Sequence, residues 1–152
     1  MRILVDANFL LRIAQPESPL NPTAIAASVE LSKAGIELCI VPQALYEYWV
    51  VSTRPREVNG LGLSIPDVES LVNDLLDDIT LLRDERGIFT HWYELVVRHA
   101  VHGKLAHDAR LVAAMKRHGL TNLLTFNRSD FTRFPGIKIF TPADILAGEL
   151  PT

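Results

Sequence analysis

Asp6 and Asn8 interrupt an otherwise apolar opening, MRILVDANFLLR, in which Ile3, Leu4 and Val5 precede them and Phe9, Leu10 and Leu11 follow. A carboxylate taken out of water costs several kcal/mol unless something pairs with it. Two further acids keep similar company. Glu47 lies in QALYEYWVV, the only charge in its helix until Arg54, and falls between Val50 and the stripe of Val51, Ala44 and Tyr48. Asp108 is followed at i+3, i+4 and i+7 by Leu111, Val112 and Met115, so it is in line with a face that should pack on a sheet. A fourth polar cluster, Asn127, Ser129 and Asp130, follows the strand-like TNLLTF.

Each position has a plain structural alternative. Asp6 or Asn8 can cap a turn, Glu47 can snorkel to water, Asp108 can be stabilised by a helix N-terminus, and the Asn127–Asp130 loop can be a hydrogen-bonded turn. Taken together they ask three acids to occupy apolar surroundings by coincidence, and a shared partner is simpler. Carboxylates gathered in one pocket repel one another, and a divalent cation lets them stay ionised. Oxygen ligands without a thiolate select Mg2+ or Mn2+ over Zn2+.

A rival zinc site would use His99, His102 and His107, but Gly103 should end the helix before His107, and neither an H-E-x-x-H motif nor a cysteine pair is present. No P-loop, G-x-G-x-x-G or G-x-S-x-G occurs, which removes the common nucleotide-binding and serine-hydrolase readings.

The elements that must position these residues alternate as in a parallel sheet with helices on both faces. RILV (2–5) reads as the first strand, followed by a loop holding Pro16 and Pro19. Asn21-Pro22 reads as an N-cap with proline at the first helical position, opening a helix that ends near Gly35. Residues 36–41 form a second buried strand, Pro42 opens the Glu47 helix, and 52–62 is the most mobile loop. Val68, Leu71, Val72, Leu75, Leu76 and Ile79 mark an amphipathic helix whose acids form its solvated face. A helix through HWYELVVRHAVHG ends at a C-cap-like Gly103, and LAHDARLVAAMKRHG ends at Gly119 with a basic last turn. TNLLTF and IKIF are strands, and Thr141-Pro142-Ala143-Asp144 is a capping box for a short final helix. Asp6 and Asn127 thus follow strands at their carboxyl ends, the edge at which open α/β sheets bind ligands.

The chain has 152 residues, 48% hydrophobic and 22% charged, with no repeat and no internal boundary, so residues 1–152 read as one domain. A single cysteine, Cys39, precludes an intrachain disulfide and suggests a reducing compartment. The short apolar start reads as a strand rather than a signal peptide, and no segment approaches the ~20 apolar residues of a membrane span. A cytoplasmic location is expected. The net charge of −3 argues against broad, non-specific nucleic-acid binding, while Arg12, Lys104, Arg110, Arg128 and Arg133 leave room for a local basic rim.

VDANFLLR, the lone Glu47, GKLAHDARLVAAMKRHG, and LLTFNRSDFTRF followed by IKIFTPADIL together resemble, in order and over nearly the whole chain, the PIN-domain ribonucleases, and among them the VapC-type toxins of bacterial toxin–antitoxin pairs. The resemblance implies a three-layer α/β/α domain with a mostly parallel sheet of about five strands. It makes Asp6, Glu47 and Asp108 acidic catalytic and metal-site residues. Asn127 stands where many members carry a fourth acid, with Asp130 as the neighbouring acid, and Asn8 orients Asp6 or a bound water. The implied activity is Mg2+- or Mn2+-dependent hydrolysis of RNA, with Arg12, Lys104 and Arg128 as candidate phosphate contacts and His107 as a candidate substrate contact. Such toxins pair as homodimers and are silenced by a cognate antitoxin, both of which are implied for this chain by the family alone. Trp92 and Tyr93 are either exposed aromatics that meet such a partner or core residues.

Two other classes compete with a nuclease. A PIN-like module that binds RNA or protein without catalysis is compatible with Asn127 and the acidic charge. A phosphatase of the haloacid dehalogenase type also starts with an aspartate after its first strand, but wants a second aspartate where this chain has Asn8.

Overall fold

The computed structural model describes Met1 to Thr152. Five parallel strands, β1 (Arg2–Val5), β2 (Glu37–Ile40), β3 (Thr80–Leu81), β4 (Asn122–Leu124) and β5 (Lys138–Phe140), form one sheet in the order β3-β2-β1-β4-β5. Seven α-helices join and cover them: α1 (Ala7–Ile13), α2 (Asn21–Lys33), α3 (Pro42–Thr53), α4 (Ile65–Asp78), α5 (Arg86–Arg98), α6 (Leu105–His118) and α7 (Pro142–Leu146). Central β1 is covered on both faces, which is why Ile3, Leu4 and Val5 form an unbroken apolar run with no solvent exposure. Leu4, Cys39 and Leu123 face a core filled by α5 and α6, whereas Ile3, Val5, Ile40 and Leu124 face one filled by α1, α2, α3, α4 and α7. This is the expected three-layer α/β/α arrangement, and the sheet is wholly parallel. No helix is long and apolar enough to cross a membrane.

Most local signals act as expected. Pro42 is the first residue of α3, Ser64 caps α4 by accepting from Asp67 N–H, and Thr141 and Asp144 form a reciprocal capping box on α7. Gly119 ends α6 at φ +68°, a left-handed conformation that suits a residue without Cβ.

The structure departs from the local expectations at five places. The chain does not loop after β1 but enters α1 directly. Asn21 does not cap its own helix: it is the first residue of α2, and its Nδ2 donates instead to the carbonyls of Arg12 (2.8 Å) and Ile13 (3.0 Å), closing α1. Helix α5 stops at Arg98, well before Gly103. Its stop is a Schellman-type turn in which Ala100 takes φ +47°, Ala100 N–H bonds to Val97 O and Val101 N–H to Val96 O, while Val101 packs on the core. Strand β3 has only two residues, too short to leave an alternating pattern. The 52–62 stretch also begins inside α3 and contains a 3-10 turn at 56–58.

Candidate active site

Asp6 stands at the carboxyl end of β1, where its N–H donates to Leu124 O (3.0 Å) and continues the ladder with β4. Its side chain is buried and held by two donors on the same oxygen. Asn8 Nδ2 (3.0 Å) and Thr125 Oγ1 (2.9 Å) both donate to Oδ2, leaving Oδ1 free of side-chain hydrogen bonds. Asn8 is itself fixed, because Nδ2 also donates to Thr125 Oγ1 (3.1 Å) and Oδ1 accepts from Phe126 N–H (3.2 Å). Thr125 Oγ1 accepts once more, from Asn127 N–H (3.0 Å), so a single buried hydroxyl ties the loop after β4 to Asp6. The expected orienting role of Asn8 thus has a geometric basis, shared with Thr125.

Glu47 projects half-buried from α3. It does not simply reach out to water: Gln43 Nε2, one helical turn earlier, donates to Glu47 Oε1 (2.9 Å) and to His107 O (2.9 Å) at the start of α6. Arg110 Nη1 in turn donates to Gln43 Oε1 (3.2 Å). Asp108, in the first turn of α6, leads the face on which Leu111, Val112 and Met115 are buried, as its spacing suggested. Trp92 Nε1 donates to Ala106 O (2.8 Å), bracing the same turn from α5, so Trp92 is part of the scaffold while Tyr93 lies exposed.

These acids sense one another electrostatically. Burial pushes the Asp6 carboxyl up to about 6 against the Thr125 hydrogen bond, and the charges of Glu47 and Asp130 push the same way. Burial pushes Asp108 up to about 7, reinforced by the negative charges of Asp130, Asp6 and Glu47 and opposed by Lys104. Asp6, Glu47, Asp108 and Asp130 therefore share one electrostatic field at one edge of the sheet. Asn127 does not add to that charge: it is exposed, its side chain makes no hydrogen bond, and Asp130 is the acid its loop contributes.

The flanking candidates divide. Lys104 is exposed beside Asp108, and His107 joins Glu47, Gln43, Tyr46, Val50 and Val51 around a cavity of about 480 Å³. Arg12 is engaged with Gln15 (2.7 Å), and Arg128 forms an ion pair with Asp144. His99 sits apart from His107, its ring edge-on to Phe134 with centroids 5.7 Å apart.

An all-oxygen, mutually repelling donor set fits a hard divalent cation. No three His, Cys, Asp or Glu side chains are already gathered closely enough to hold a metal ion, whether the four acids or the three histidines of the zinc alternative. For the acids it is the donor chemistry that suits Mg2+, an ion bound through carboxylate oxygens and retained waters.

Sequence reasoning missed Thr125 and Gln43. Thr125 is the one hydroxyl between the apolar strand and Asn127, and Gln43 precedes Glu47 at i−4, so both left a signal that acquires meaning only once the neighbours are known.

Comparison with curated proteins finds no sequence match. Among solved structures, the chain is similar to VapBC2 from Rickettsia felis bound to a DNA fragment from their promoter, with a TM-score of 0.68 and 15% identity over 93% of this chain and 98% of that one. It is similar to a toxin–antitoxin complex from Klebsiella pneumoniae, with a TM-score of 0.64 and 21% identity over 92% and 97%. It also resembles Mycobacterium tuberculosis VapC20, a sarcin-ricin loop cleaving toxin, with a TM-score of 0.63 and 18% identity over 84% and 92%. At these identities the likeness is one of fold. The PIN domain family model matches residues 3–137, and with the parallel sheet and the acids at its edge described, the chain belongs to the PIN domain family.

Proposed function

We propose that this protein is a Mg2+- or Mn2+-dependent endoribonuclease and the toxin of a toxin–antitoxin pair. The observation that carries the reading is the gathering of Asp6, Glu47, Asp108 and Asp130 at one sheet edge of a PIN domain, where burial first and the neighbouring carboxylates second push Asp6 up to about 6 and Asp108 up to about 7. Groups perturbed in this way by burial and like charge cluster at functional sites.

In this reading the four acids hold the cation, Asn127 offers a neutral amide oxygen at their margin, and Asn8 with Thr125 keeps Asp6 oriented. A bound Mg2+ or Mn2+ supplies a water of lowered pKa and neutralises charge developing on the phosphate. Asp108 or Asp6 is the candidate to orient the attacking water or take its proton. Lys104 and His107, both exposed near Asp108, are the candidate contacts to the RNA backbone or a base. No histidine base is required.

An antitoxin partner is supported by the fold likeness to toxin–antitoxin complexes from Rickettsia felis and Klebsiella pneumoniae. RNA as substrate is supported by the likeness to a sarcin-ricin loop cleaving toxin. Pairing as a homodimer would give a use to the exposed Phe89, Tyr93 and Val97 on α5, large apolar side chains that a monomer gains nothing by showing to water. A cytoplasmic location accords with a buried free thiol at Cys39.

The test is to induce the wild type and Asp6→Asn in a bacterial host, following growth and mapping new 5′-phosphate RNA ends. Arrest with discrete new ends from the wild type alone is the expected result. Binding of RNA or of a protein partner without any new ends would favour the non-catalytic module.

A further inference from the structure

The acid-bearing helices α3 and α6 serve opposite faces of the sheet. Tyr48 of α3 packs in one core, and Leu111, Val112 and Met115 of α6 pack in the other. Gln43 bridges them across the sheet's carboxyl edge. Its Nε2 spends both hydrogens, one on Glu47 Oε1 at 2.9 Å and one on His107 O at 2.9 Å, the carbonyl immediately before Asp108. Its Oε1 accepts from Arg110 Nη1 at 3.2 Å, and Arg110 Nη2 is anchored on Asp84 Oδ1 at 3.0 Å, just beyond β3.

The amide cannot be reversed. Glu47 and the His107 carbonyl only accept and Arg110 only donates, so turning Gln43 over would set like against like at every contact. Gln43 is also buried, where an unpaired amide is costly, so the arrangement holds as a unit. A neutral donor adds something a lysine could not: it fixes one oxygen of Glu47 without cancelling the negative charge, and leaves Oε2 available.

From this geometry we infer that Gln43 is a positioning residue for the cation site, setting the orientation of Glu47 and its spacing from Asp108, with Arg110 as the lock that holds the amide in register. The inference rests on the metal-dependent reading above. Polar groups one step removed from a metal typically govern its affinity by 10- to 100-fold.

The test is Mn2+ titration by calorimetry on the wild type, Gln43→Leu and Arg110→Met, with thermal unfolding of each metal-free protein alongside. Leucine nearly conserves the volume of Gln43 while removing all three hydrogen bonds. The expected result is Mn2+ affinity at least tenfold weaker in Gln43→Leu and several-fold weaker in Arg110→Met. The double variant should lose little more than Gln43→Leu, because both act through one contact. A purely structural role would lower the unfolding temperature and leave the affinity of the folded protein unchanged, and that outcome overturns the inference. Should Gln43→Leu fail to fold, Arg110→Met, at a half-exposed position, decides on the same criterion. A wild type that binds no Mn2+ would remove the metal reading and this inference together, whereas wild-type binding undiminished in the variants would remove this inference alone.

Discussion

Thr125 Oγ1 donates to Asp6 Oδ2 at 2.9 Å, joining residues 119 positions apart, each just past the carboxyl end of one of two neighbouring central strands. The hydroxyl is fully buried and spends every hydrogen-bonding site: it donates to Asp6 and accepts from Asn8 and Asn127. Replacing it with the isosteric Thr125→Val should leave the Asn127 N–H and one Asn8 Nδ2 hydrogen without their acceptor and remove the larger of the two hydrogen bonds that lower the Asp6 pKa, that from the Ala7 backbone remaining. A loss of about 1–3 kcal/mol in urea unfolding is expected, together with weaker Mn2+ binding at pH 7.

Asp6→Asn should separate stability from function. Holding Asp6 ionised in a buried site, when its carboxyl titrates near 6 rather than 3.8, costs the folded protein roughly 3 kcal/mol at neutral pH. The neutral variant should therefore be as stable as the metal-free wild type at pH 7.5, or melt a few degrees higher, while losing metal binding and RNA cleavage. Differential scanning calorimetry beside a cleavage assay checks both halves.

The pH dependence follows from Asp6 near 6 and Asp108 near 7, both above the ordinary aspartate value of 3.8. Because their folded pKa values are raised, these groups contribute stability that is complete below about pH 4. It is lost progressively as the pH climbs from about 4 through the folded values of about 6 and about 7. Metal-free protein should thus lose stability across that window, and added Mn2+ should restore it. Cation binding should release protons at pH 6 and almost none at pH 8.5, which calorimetry in buffers of different ionisation enthalpy measures directly.

Lys104 and Arg128 should behave differently despite equal charge. Arg128 is paired with Asp144, whose carboxyl is lowered because hydrogen bonds from Thr141 and the Arg128 charge outweigh its burial. Arg128→Ala should raise the Asp144 pKa and cost less than about 1 kcal/mol in stability, with little change in RNA affinity. Lys104→Ala should weaken RNA binding and reduce its salt dependence, as loss of a phosphate contact does. Fluorescence anisotropy at several salt concentrations distinguishes them.

The fold was legible wherever chemistry and period agreed: the buried β1 run, Pro42 opening α3, Gly119 closing α6 and the Thr141 capping box all act locally. What could not be read depended on partners distant in sequence. Asn21 has the composition of an N-cap, yet its amide serves the end of α1, and α5 closes on Ala100 because Val101 finds core to pack against. The acids themselves stood out because apolar neighbours made them costly. Gln43 and Thr125 did not, since an uncharged polar residue is unremarkable until its contacts are known. Arg12 and Arg128, candidate phosphate contacts in the sequence, have partners there was no local signal for: Gln15 accepts a hydrogen bond from Arg12, and Asp144 pairs with Arg128.

The most direct measurement is cleavage of bacterial total RNA by the purified protein with Mn2+, with EDTA, and as Asp108→Asn, with new ends mapped by sequencing. The account predicts discrete 5′-phosphate ends from the wild type with Mn2+ and none in the other two reactions. Equal cleavage by Asp108→Asn, or cleavage that survives EDTA, would contradict it.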